Sequence, residues 1–306
     1  MTEAATVPKK VSLAQFSPDA QEAIRARAIN GNWELKPLVR LLGELAQFDE
    51  VNEKATAKAK NWAIGFFVGA FLSIFVGVAV TAVLDRGIGF VLIPICIVLG
   101  IVKIVQYKKL KKNDLINDFR VCLRPALRDL ANDIDPNQKI KVKMDLSGPC
   151  DHKQTSKTDA PPGNYISGKQ TTYEDPWCEV RLPIIDGTTA VVQFDVVWYK
   201  LDVKKRGSRG KTKFKTKWRK ECTARATLLP PAAITWNESS LRDRSDGKLE
   251  KVKIVEKDGI TCARLERYWS FKNTGEVPGD APPAREVVGL LLRLHSAMVA
   301  PPEVRS

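Results

Sequence analysis

The sequence predicts an α+β membrane protein: N-terminal helices, a two-helix transmembrane hairpin, and a cytoplasmic, mostly antiparallel β domain of about six strands capped by a terminal helix. Three observations lead there. Residues 61–84, NWAIGFFVGAFLSIFVGVAVTAVL, carry no charge over a length that covers a bilayer at helical rise. A second apolar run over 87–107 is broken only by Lys103, whose long stem can reach the interface. Beyond residue 137 the apolar residues recur at every second position, which is the period of half-buried strands.

The organisation follows as residues 1–60 helical and cytoplasmic, 61–107 the hairpin, 108–136 a helical stalk, and 137–306 the β domain. Ser17-Pro18-Asp19 reads as a helix start, with a serine cap and proline in the first turn. After a break at Asn30-Gly31-Asn32, a second helix from Leu35 carries Leu38, Leu41, Leu42, Leu45 and Phe48 on one face and runs toward the first span. Leu84 to Gly87 is too short a connection to be a domain, so both termini are expected on one side. Lys54, Lys58 and Lys60 before the hairpin and Lys108, Lys109, Lys111 and Lys112 after it outweigh the single Arg86 in the turn, which puts that side in the cytoplasm of a bacterial-type inner, or plasma, membrane.

Gly65, Gly69, Ser73 and Gly77 recur every four residues in the first span, a spacing that lets helix backbones approach closely. The stripe either packs against the second helix of the hairpin, which offers Gly89, Cys96 and Gly100, or joins copies of the chain into a homo-oligomer. Neither span contains Asp, Glu, Arg or His, so the ion relays kept by transporters and pumps are absent from the sequence of the spans.

In the stalk, Leu115, Phe119, Cys122, Ala126, Leu127 and Leu130 share one helix side, with Pro125 a kink or break. The β domain begins with a strand over 139–146. Residues 147–176 read as a long loop, and a strand carries Cys178, Val180, Leu182 and Ile184 inward. A long strand follows over 192–203, and its change of apolar phase near Val197 to Tyr199 predicts a bulge or a sharp twist. Its partner, KTKFKTKWRKECTARATLL over 211–229, sets lysines on one face and Phe214, Trp218, Cys222, Ala224 and Leu228 on the other. A further hairpin spans 249–271. The last helix presents Val287, Val288, Leu291, Leu292, Leu294 and Met298 to the sheet.

Chemistry-bearing motifs are sparse. The six cysteines are scattered without a CxxC pair and read as free thiols. Cys150, Asp151 and His152 cluster too tightly, and without a second ligand pair, to make a zinc site, and His295 reads as structural. GSRGKT over 207–212 has the wrong spacing for a phosphate loop and joins two strands. Asp195, Asp202, Glu179 and Glu266 fall on outward strand positions as solvated partners of lysines. No catalytic residue, metal site or cofactor is predicted.

What remains is charge. The net charge is +14, and the segment from Lys204 to Lys220 contributes ten basic residues and no acid. The candidate anion-binding residues are Lys204, Lys205, Arg206, Arg209, Lys211, Lys213, Lys215, Lys217 and Arg219. Lysines on a strand also protect an edge from aggregation. Mixed signs would serve that purpose equally, so the run favours an anionic lipid headgroup or an acidic protein as partner. Nucleic acid is disfavoured, because a strand puts Phe214 and Trp218 on the face opposite the lysines, where they cannot stack bases unless the hairpin is exposed on both sides.

The layout resembles that of small bacterial membrane effectors whose cytoplasmic sensor domain controls a transmembrane oligomer, a likeness of architecture with no shared motif. The function expected is a non-enzymatic, membrane-anchored adaptor or scaffold whose basic hairpin contacts anionic lipid or an acidic partner. The alternatives are an oligomerising pore or membrane-disrupting effector gated by the cytoplasmic domain, and an enzyme acting on a membrane-proximal substrate.

Overall fold

The structure is a computed structural model, and it describes residues 13–84, 91–149, 154–161, 163–207, 210–231, 234–237, 241, 250–257, 260–274 and 279–299. Two compact units share the chain. One contains residues 44–115, and the other combines 18–43 with 116–306.

In the first unit the dominant element is α2, Leu35–Leu84, a single helix whose opening turns belong to the second unit. By length and composition α2 is the one helix among the described residues that is long and apolar enough to cross a membrane. The second expected span lies partly outside the described residues. Its described part falls in α3, Leu92–Lys112, which ends among Lys109, Lys111 and Lys112. The two helices run antiparallel. The ring of Phe67 packs on Gly100, where an added Cβ would approach it to 3.1 Å, and Asn52 donates its side-chain amide to the Leu110 carbonyl at 3.2 Å. At the same end the buried Asp49 accepts from the Leu115 backbone N–H at 3.3 Å, which gives the enclosed carboxylate a donor from the loop after α3. Leu38, Leu41, Leu42, Leu45 and Phe48 are all buried.

The second unit is an eight-stranded antiparallel sheet in the order β1 (Ala28–Trp33), β2 (Ile140–Asp145), β4 (Ser167–Pro183), β5 (Thr189–Arg206), β6 (Thr212–Leu229), β9 (Ile260–Thr274), β8 (Glu250–Lys257), with β3 (Gln154–Asp159) also paired to β4. Helix α1, Pro18–Ala26, leads into β1, Ala28–Trp33, through Arg27 at a φ of 51°. β1 pairs with β2, Ile140–Asp145, from Ala28↔Asp145 to Trp33↔Ile140. The expected break at Asn30-Gly31-Asn32 is therefore an edge strand. Pairing on one side outweighs the poor strand propensity of Asn and Gly, and Ile29 supplies the inward contact.

The stretch expected as a loop over 147–176 likewise holds β3, Gln154–Asp159, and the first half of β4, Ser167–Pro183. β3 is exposed throughout, so no alternation of apolar residues marks it in the sequence. Next come β5, Thr189–Arg206, and β6, Thr212–Leu229, paired without interruption from Thr189↔Leu229 to Arg206↔Thr212. The bulge expected near Val197 is not in β5. It lies in the neighbouring strand, where β4 shifts register between Asp175 and Cys178 and buries Trp177 against Phe194 at 5.1 Å between ring centroids. β8, Glu250–Lys257, and β9, Ile260–Thr274, complete the sheet, while β7, Thr235–Trp236, pairs with β10, Met298–Val299.

One face of the sheet is covered by helices. A π-helical turn, Phe119–Leu123, continues into α4, Arg124–Asp129, and both pack against α5, Ala284–Ser296, which lies on β6 and β9. The stalk side chains Leu115, Phe119, Cys122, Ala126, Leu127 and Leu130 are buried. In α5 the buried set is Val287, Leu290, Leu291 and Leu294, whereas Leu292, expected inward, is exposed. The opposite face carries charged pairs across the strands, among them Arg225 with Asp195 and Glu266, and Lys253 with Glu266.

The junction of β3, β4 and β5 is tight. A Cβ at Gly168 would meet the Ala160 Cβ at 2.8 Å and the Val203 Cγ1 at 2.9 Å. Gly168→Ala is accordingly expected to cost about 1–3 kcal/mol through overpacking. Thermal unfolding checks this, together with hydrogen exchange at residues 154–159, where protection should fall first.

Candidate functional site

The candidate site is the far end of the sheet. β2 pairs with β4 at Lys141 to Met144, beside Cys178 to Arg181, whereas β3 pairs with it over 169–173. On the other side, the described pairing of β6 with β9 ends at Lys217↔Thr274. Beyond those limits β3, the first half of β4, the end of β5 and the start of β6 form an arm at the tip of the β5–β6 hairpin. Burial changes along β6 at the same place: alternate residues from Trp218 onward are buried, while Thr212, Lys213, Phe214 and Lys215 are all exposed.

Register distributes the predicted basic residues over both faces of this arm. Lys213 sits opposite Lys205, Lys215 opposite Val203, and Lys217 opposite Leu201, so these lysines share one face. Lys204 and Arg206 point to the other face, with Phe214 opposite Lys204. Lys211 is exposed at the turn, and Arg209 lies outside the described residues. Asp202, near the arm, is already engaged: it accepts from Lys200 at 3.2 Å and from the Thr216 hydroxyl at 2.6 Å.

Arg219 does not join the free lysines. Its guanidinium stacks on Tyr199 at 4.3 Å from the ring centroid and pairs with Glu221 at 3.1 Å. Burial and the Glu221 carboxylate together push the Tyr268 hydroxyl up to about 12 and raise that of Tyr199, so both phenols stay protonated at neutral pH.

Two apolar residues at the tip were missed in the sequence. Phe214, expected to face inward, is 80% exposed because no described element covers the arm on that side. Ile166, just before β4, is 57% exposed, and its backbone N–H donates to the Lys204 carbonyl at 2.7 Å. The arm thus carries exposed apolar side chains among at least six exposed or half-exposed cations: Lys204, Lys205, Arg206, Lys211, Lys213 and Lys215. Trp218 differs from Phe214, since it is buried and stacked on Tyr173 at 6.2 Å.

A second cluster was also missed. Lys220 lies in the buried phase of β6 and ion-pairs with Asp118, both side chains being fully enclosed. The ammonium also donates to the Asp280 carbonyl at 2.8 Å and lies 4.9 Å from the Trp198 ring centroid. Burial raises the Asp118 carboxyl above its usual range against the opposing pull of Lys220. The only sequence signal for this pair was a lysine breaking the apolar phase between Trp218 and Cys222.

Around the pair, burial raises the thiols of Cys122 and Cys178 and pushes that of Cys222 up to about 12. Protonated, enclosed thiols are poor nucleophiles, so the cluster is built for packing. Cys150, Asp151 and His152 lie outside the described residues. His295 is exposed and contacts Asp186 at 2.9 Å. No group of three metal-ligating side chains occurs among the described residues.

In α2 the small-residue stripe divides. Ser73 and Gly77 are buried, and an added Cβ at Gly69 would lie 3.8 Å from the Cys96 Sγ. Nothing lies within 4 Å of the corresponding position at Gly65. Compared with protein-family profiles, with curated proteins and with solved structures, the chain matches none.

Proposed function

We propose that the protein is a non-enzymatic membrane-anchored adaptor whose basic arm docks on anionic lipid headgroups. In this reading α2 and α3 cross an inner, plasma-type membrane as a hairpin and leave both termini in the cytoplasm. The observation that carries the docking is the arm: lysines on both faces, with Phe214 80% exposed among them. Near an anionic surface each such cation gains about 1 kcal/mol, and an exposed ring beside them adds apolar contact with the interface.

The two crossings draw their support from the sheet. β1 precedes the helices and β2 follows them, and the two are hydrogen-bonded. Strands paired with each other lie on one side of any bilayer, so a chain that crosses in α2 must return before β2. α3 is the described apolar helix between them. A membrane-impermeant maleimide should therefore label Asp85→Cys from outside intact cells, and a cysteine placed at Asn137 only after lysis. Labelling of the Asn137 position from outside would sink the topology.

Docking is tested with the full chain in nanodiscs of neutral or anionic phospholipid. Hydrogen exchange over residues 200–217 should slow only in the anionic discs, and added salt should reverse the effect. Equal exchange in both would end this reading. The pore alternative draws less support, because Gly69, one member of the stripe that motivates it, lies toward Cys96 within the same helix pair.

A further inference from the structure

We propose that α2 carries a phospholipid site of its own, separate from the arm, where the polar part of the helix meets its apolar part. Lys54, Lys58, Asn61 and Gly65 follow one another at three- and four-residue spacing, with Trp62 four residues after Lys58 and beside Asn61, which places them on one side of the helix. Together they form one open, shallow strip of the helix surface. The inference rests on α2 crossing the membrane, which puts this strip at headgroup level.

The chemistry of the lining selects the occupant. Two ammonium groups one helical turn apart match the phosphodiester of an anionic glycerophospholipid. Lys54 pairs with Glu50 at 2.6 Å, but both side chains are more than half exposed, so a phosphodiester can displace that contact. Lys58 is exposed and is the nearer of the two to the apolar segment. The Asn61 amide can donate to the glycerol ester oxygens.

Trp62, 52% exposed and packed on Phe66 at 5.6 Å between centroids, has the amphipathic ring found at membrane interfaces. Next along the face comes Gly65, where an added Cβ would meet nothing within 4 Å. The missing side chain leaves a path for the first part of an acyl chain beside the tryptophan.

The test uses the detergent-solubilised full chain, delipidated and titrated with phosphatidylglycerol or phosphatidylcholine, with bound lipids counted by native mass spectrometry. The wild type should retain phosphatidylglycerol in preference to phosphatidylcholine. Lys54→Gln with Lys58→Gln should weaken that retention about thirtyfold. Gly65→Leu, which fills that path without touching charge, should weaken both lipids.

Lys111→Gln with Lys112→Gln, at the end of α3, should leave retention unchanged. Equal retention of both lipids, indifference to the Lys54 and Lys58 changes, or displacement by inorganic phosphate would overturn the proposal. Release of the wild-type chain from membranes by alkaline wash without detergent would instead defeat the crossing on which it rests.

Discussion

Lys220→Met is expected to destabilise the sheet unit by about 3–5 kcal/mol, the usual cost of removing one member of a buried ion pair. The substitution preserves most of the side-chain volume, so the loss is electrostatic. Asp118 keeps its place in the core with no cation beside it, and the Asp280 carbonyl loses its donor. Adding Asp118→Leu should recover most of the deficit, because a well-packed apolar pair avoids the desolvation of two ions. Thermal unfolding of the two single variants and the double variant gives the coupling directly.

The pH dependence has a definite sign. Burial already holds the Asp118 carboxyl above its unfolded value in the wild type, and removing Lys220 takes away the main influence that lowers it. A carboxyl with a raised folded-state pKa contributes stability below the unfolded pKa and loses it as pH rises through the folded one. The deficit of Lys220→Met should therefore shrink on going from about pH 8 to about pH 5. A constant deficit would mean that the lost packing around Trp198, and not the charge, set its size.

Changing Lys211, Lys213, Lys215 and Lys217 to Gln should reduce partition onto anionic vesicles by roughly a thousandfold, from about 1 kcal/mol per residue near the surface. The full chain, held in neutral nanodiscs, is mixed with anionic or neutral vesicles across a salt series. The wild type should show a steep salt dependence that the variant has largely lost, while the unfolding temperatures of the two stay close. Phe214→Ser separates the contributions: it should weaken binding at high salt as much as at low salt, because its contact is apolar. Unchanged partition in the four-lysine variant would return these residues to the protection of an exposed strand.

Legibility followed burial. β2, β5, β6 and the terminal helix were readable because one of their faces is packed and the other is wet, which stamps a period on the sequence. β1 and β3 were not, because each holds its place by backbone pairing with a neighbour: Asn30, Gly31 and Asn32 show no strand chemistry, and Gln154–Asp159 is exposed throughout. The apolar phase change in β5 marks no bulge: β5 is unbroken, and Val203 lies on the other face, buried beside Gly168, while the bulge sits across the ladder at Asp175 to Cys178. The basic run was plain in the sequence, yet its reach was not. Without the register, nothing separates Lys213 on the open arm from Lys220 in the core seven residues later.

Under the proposed topology, with α2 and α3 both crossing the bilayer, the pairing of β1 with β2 also has a meaning for biogenesis. During synthesis the N-terminal strand leaves the ribosome well before its partner, and everything destined for the bilayer is threaded between them. The sheet cannot close its edge until both helices have been delivered with the correct polarity. A chain inserted with one crossing too few would strand the two halves in different compartments and leave β2 with an open edge. In that topology, completion of the sheet would report correct insertion, because β1 and β2 can pair only when both helices have crossed.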